Sequence, residues 1–94
     1  MYRTTGDARA LLRAAREIHA ERHGIQTFRL GTHLPLQAAG QRTGLNPGRL
    51  RYHDALKELE HEGAIEWAAS ARYAREDKHY GITERGLEML HEFG

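Results

Sequence analysis

Apolar residues recur along this chain first with a helical period and then, past Gly63, with a period of two. Over residues 6–23, Leu11, Ala14, Ala15 and Ile18 share one face while Arg9, Arg13 and Arg16 share another, the spacing of an amphipathic helix. Thr4, with Asp7 three residues on, forms a capping-box arrangement at its start, and Gly24 is a natural stop. Ile25-Gln26-Thr27-Phe28-Arg29-Leu30 alternates apolar and polar side chains, which predicts a short strand over 25–30. Pro35 suits the first turn of a second, short helix over 35–43. Gly44 then supplies a tight turn and Leu45 returns to the core. Asn46 as cap and Pro47 as first helical residue predict a third helix over 47–62, with Tyr52, Ala55, Leu56 and Leu59 as its core face and Gly63 at its end.

From Ala64 the alternation is that of a β-hairpin over 64–82. Ile65, Trp67 and Ala69 point one way, Tyr80 and Ile82 join them on the return, and Arg72-Tyr73-Ala74-Arg75 makes the loop tip. Trp67 and Tyr80 read as a cross-strand aromatic pair covering the core. Thr83 caps a last helix over 84–93, with Leu87 and Leu90 facing inward. The expectation is one α+β domain spanning 1–94, ordered helix, short strand, helix, turn, helix, hairpin, helix.

Ninety-four residues fit one domain with a modest core and no separate catalytic or sensing module. Cysteine is absent, which excludes disulfides, thiol chemistry and cysteine-rich zinc sites. There is no long apolar run and no basic-apolar-small leader, so the chain is expected to be cytoplasmic, neither membrane-spanning nor secreted. Arginine outnumbers lysine 12 to 2, a bias that a GC-rich genome also yields, so the count alone carries no function. The formal net charge of +1 becomes informative when divided: residues 41–57 carry +3, residues 58–66 carry −4 and residues 67–80 carry +1. Positive charge gathers on the turn, the front of the third helix and the hairpin loop, and phosphate binding needs such local patches more than a high total.

The spacing Tyr52, Leu56, Leu59, Gly63 followed by Ala64-Ile65, and the run Tyr80-x-Ile82-Thr83-Glu84-x-Gly86-Leu87, resemble the winged helix-turn-helix superfamily, the second run being similar to the end-of-wing signature of PadR-like and MarR-like transcriptional regulators. The resemblance covers about residues 7–93. It implies a three-helix core with a β-hairpin wing and a short C-terminal helix, a recognition helix over 47–62, and sequence-specific binding of double-stranded DNA in transcription regulation. In one respect the chain departs from the pattern: the stretch from Leu45 to Tyr52 is about two residues longer than usual, so either the turn or the front of the helix is extended. The ligand-sensing additions and long C-terminal dimerisation helix of the family are also missing.

The residues argue for DNA in their own right. The amino-terminal half of an α-helix is what enters a major groove, and here that half holds Asn46, Arg49, Arg51, His53 and Asp54. Arginine pairs with guanine, asparagine with adenine, and a carboxylate accepts from cytosine N4. Lys57, a turn further, suits a phosphate; Gln41, Arg42 and Thr43 suit backbone beside the groove; Arg72 and Arg75 with Lys78 suit a phosphate or the minor groove. Against this, arginines on amphipathic helices are most often a solvated face, and Asp54 repels phosphate. His19 and His23 have chelating spacing, but no third ligand and no HExxH arrangement accompany them, so no metal and no cofactor are expected. No nucleophile stands with an oriented base, so no enzyme is expected either. A lone domain makes few contacts, which implies a homodimer on a two-fold site. A protein-protein interaction module on the same fold, favoured by the acidic second half of the third helix, is the main alternative; a phage-type or replication-type DNA accessory protein is another.

Overall fold

A computed structural model describes residues 5–68 and 80–93, the Phe93 side chain excepted. Helix α1 (Gly6–His23) carries the buried stripe Ala8, Leu11, Leu12, Ala14, Ala15 and Ile18. Its cap is Thr5 and not the expected Thr4, which lies outside the described residues: the Thr5 hydroxyl accepts from the Ala8 N–H at 3.3 Å. Gly24, at φ 89°, ends the helix and donates to the Ala20 carbonyl.

The strand expected over 25–30 does not form. Ile25–Thr27 winds into a 3-10 turn, because the Thr27 hydroxyl donates to the Gly24 carbonyl and meets His19 Nε2, each at 2.7 Å. Such local side-chain bonds compete with a sheet ladder. The alternation there is also not one of burial, since Ile25 and Leu30 are 57% and 63% exposed. Strand-like pairing appears a few residues later, as a bridge between His33 and Gly81.

Helix α2 (Leu36–Thr43) buries Leu36, Ala39 and Gly40, and Gly44 closes it in the left-handed conformation. The Leu45 N–H then donates to the Gly40 carbonyl at 2.7 Å, and Leu45 is buried. The third helix, α3 (Leu50–His61), begins three residues later than expected. Asn46 is not its cap: its side chain accepts from the Gly48 N–H, and the Arg49 N–H donates to the Asn46 carbonyl, so residues 46–49 form a turn of their own. The extra length between Leu45 and Tyr52 therefore lies in the turn. Tyr52, Ala55 and Leu59 are buried as expected, and Leu56 packs partly against them.

Strands β1 (Ile65–Trp67) and β2 (Tyr80–Ile82) pair antiparallel, with Ile65 opposite Ile82 and Trp67 opposite Tyr80. The far edge of β2 is covered by residues 31–34, through Gly31 N–H to Ile82 O, Ile82 N–H to Thr32 O and Leu34 N–H to Tyr80 O. Trp67 and Tyr80 meet edge to face at 5.2 Å, but Trp67 is 64% exposed and so overhangs the core more than it covers it. Thr83 caps α4 (Glu84–Phe93), accepting from the Gly86 N–H while donating to the Gly63 carbonyl. Inward-facing Met89 and Leu90 complete a core that runs from α1 through all the other helices to both strands.

Two glycines set how closely these elements approach. A Cβ at Gly40 would lie 2.5 Å from the Leu45 carbonyl oxygen and 2.9 Å from the Tyr52 ring, and one at Gly86 would fall on the Ala64 carbonyl oxygen. Gly40→Ala and Gly86→Ala are each expected to cost about 1–3 kcal/mol, a fall of about 4–8 °C in Tm per kcal/mol. Gly6 has open space around it, and Gly6→Ala is expected to gain about 0.4–1 kcal/mol. Thermal melts of the three variants test the ordering.

Candidate functional site

The surface of interest is built on α3. With Tyr52, Ala55 and Leu59 fixed inward, the helical period leaves Leu50, His53, Asp54 and Lys57 outward, and all four are exposed. Arg49 sits at the N-cap position with extended backbone, and no side chain caps the helix. The leading N–H groups of α3 thus add the positive end of the helix dipole beside Arg49. No ion pair holds Arg49 or Lys57 among the described residues. A shallow recess of about 280 Å³ opens at the turn before Arg49, lined by Gln41, Gly44, Asn46 and Pro47. Gln41, Asn46 and Arg49 are therefore brought to one region, where α2 meets the turn into α3.

Other candidates are held by the fold itself. Arg42 reaches back to α1, where its two terminal nitrogens donate to Glu21 at 2.5 and 2.7 Å, with Glu17 at 4.0 Å. That hydrogen-bonded pairing holds the Glu21 carboxyl below the usual glutamate range and pushes Arg42 up. The Thr43 hydroxyl donates within its own helix, to the Ala39 carbonyl at 2.9 Å. Arg51 forms a two-point bond to Asp7 of α1, at 2.8 and 3.2 Å, which raises its pKa further. His53 lies edge to face with the Tyr52 ring at 5.8 Å. Arg72, Arg75 and Lys78 lie outside the described residues.

The carboxylates of α3 are also engaged. Glu58 accepts from both the N–H and the hydroxyl of Thr5, at 3.1 and 2.6 Å. Glu60 accepts from the Tyr80 hydroxyl at 2.7 Å, and Glu62 lies 3.8 Å from Arg85. Asp54 stands with Asp7, Arg51 and Glu58 around a second recess of about 280 Å³ at the start of α1. Sequence reasoning missed the Asp7–Arg51 and Glu58–Thr5 contacts, which join residues 44 and 53 positions apart and have no local signal. It also missed Leu50, whose signal was available: two residues before Tyr52, it must face away from the core. The His19–His23 pair is taken up locally, His19 by Thr27, and no cluster of three or more metal-ligating side chains occurs among the described residues.

Among the described residues no helix is long and apolar enough to cross a membrane. Comparison with family models, curated proteins and solved structures finds no match for this chain.

The Glu21–Arg42 pair predicts a sign for the acid response. A carboxyl whose pKa is lower folded than unfolded contributes stability above its unfolded value and loses it as pH falls through the folded one. Glu21→Gln should therefore reduce the drop in urea midpoint between neutral and acid pH. The change should be small and screened by salt, since both side chains are solvent-exposed.

Proposed function

We propose that this chain is a winged helix-turn-helix domain that binds duplex DNA and acts in transcription regulation, by binding and not by catalysis. The observation that carries the reading is the outward face of α3. Its inner face is locked to the core while its first turns present Arg49, Leu50, His53 and Lys57 to solvent, at a helix end left without a side-chain cap. A protruding helix with cations toward its N-terminal end fits a major groove. The compatible layout of α1 to α4 with an antiparallel strand pair supports the architecture.

Within this proposal Arg49 and Asn46 read bases, Lys57 and Gln41 hold phosphate, and Arg51 acts from the position Asp7 gives it. Arg42 serves the α1–α2 junction first and Thr43 its own helix, and both the DNA backbone second. Arg72, Arg75 and Lys78 enter from the sequence alone, as contacts from a wing. A homodimer on a two-fold site is proposed because a single helix end makes few phosphate contacts. The recess lined by Asp7, Asp54 and Glu58, three acids against Arg51, supports a second reading, a module that docks a basic segment of another protein.

Salt separates the two readings. Retention on heparin or random duplex at low salt, lost steeply as salt rises, is expected for DNA; no retention would favour the protein-docking module. Arg49→Glu combined with Lys57→Glu should abolish duplex binding and leave the thermal melt unchanged, since neither side chain is held in an ion pair among the described residues. Lys57→Ala alone should reduce the slope of log K against log salt by about one. Substituting Arg51 is less clean, because a glutamate there would face Asp7.

A further inference from the structure

We infer that Leu50 is a specificity-determining contact that reads the 5-methyl group of a thymine in the bound site. The inference rests on the DNA reading above and adds what that surface selects. Four large apolar side chains are more than half exposed among the described residues, and Leu50 is the most exposed, at 74%. The other three lie elsewhere: Ile25 and Leu30 in the α1–α2 connection, and Trp67 against the Tyr80 ring. Leu50 occupies the first position of α3, with Arg49 and Arg51 on either side in sequence and His53 and Asp54 one turn on.

Its surroundings narrow what can cover it. This exposed apolar side chain stands next to Arg49, unpaired among the described residues, at an uncapped helix end, with His53 and Asp54 one turn on. Such a setting suits a groove that is anionic at its rims and carries isolated apolar groups on its floor. In the major groove each A·T pair presents such a group, the thymine 5-methyl, bordered by phosphates, and aliphatic side chains contact it. The neighbouring polar groups suit the adjacent base edges: Arg49 for guanine O6 and N7, Asp54 for cytosine N4. Asp54 thereby has a role that its repulsion of phosphate would otherwise oppose. Leu50 adds an apolar contact to this polar set, at a pair whose thymine carries the methyl.

The test removes one methyl at a time. Duplexes retained by the wild-type chain are selected from a random pool, and each thymine of the selected site is replaced singly by deoxyuridine. At one position the wild type should bind about fourfold more weakly without the methyl, the effect of one buried methyl-sized group. Leu50→Ala should bind the thymine duplex more weakly by at least that factor and show no difference between thymine and deoxyuridine there, with an unchanged melt. Leu50→Met should restore the difference. Indifference of the wild type to every replacement, or a thymine preference that survives in Leu50→Ala, overturns the assignment while duplex binding stands. Failure of the wild type to retain any duplex at low salt overturns the assignment and the DNA reading together.

Discussion

The placement of α3 depends on a missing side chain at position 40. The Leu45 carbonyl and the Tyr52 ring both occupy space that a Cβ there would need. A glycine inside a helix costs about 1 kcal/mol relative to alanine, so its presence on α2 is explained by packing and not by propensity. With the backbone brought this close, Gly44 can reverse the chain in the left-handed conformation and Leu45 can enter the core. Tyr52 then seals the junction, and its register sets every later residue of α3, the inward Ala55 and Leu59 as well as the outward His53 and Lys57. The opposite end of α3 is fixed by the same device, since Ala64 fits only against a glycine at position 86.

Between these anchors, polar contacts tie the start of α1 to the side of α3, beside the buried Ala8. Glu58 holds both polar groups of the residue that caps α1, and Asp7 holds Arg51 at two points. Exposed pairs of this kind contribute little stability singly. Their effect is orientation: a guanidinium bound at two nitrogens has lost much of its rotamer freedom and keeps its remaining donors on one side. Arg42 is held in the same way by Glu21. Two of the three described arginines put forward as DNA contacts are thus positioned from α1, a helix that contributes no candidate of its own.

What the chain made legible was periodic or local. The helical stripe of α1, the inward set Tyr52, Ala55 and Leu59, the paired Trp67 and Tyr80 and the Thr83 cap all follow from spacing or from a capping residue beside its helix. What it concealed was competition between local options. Thr27 and Thr32 bear hydroxyls that bond nearby backbone, which turned an alternating segment into a 3-10 turn. Asn46 had two acceptable uses, helix cap or turn former, and took the second because Gly48 lies two residues on. Long-range ionic choices were not legible at all, since many carboxylates were available to Arg51 and nothing in the order of residues singles out Asp7.

A net charge of +1 hides where the acids of the described residues go. Glu58 and Glu60 on α3 and Glu62 at its C-terminal cap meet Thr5, Tyr80 and Arg85. Asp7 and Glu21 neutralise Arg51 and Arg42 within the fold. Arg49 and Lys57 lack such partners among the described residues and stand on the outward side. Several acids are thereby engaged in contacts between elements, while Arg49 and Lys57 stay unpaired among the described residues, Arg49 at an uncapped helix end. Asp54 is the one outward acid of α3's first turns; under the DNA proposal it would penalise bare phosphate and be satisfied where an amino group such as cytosine N4 faces it.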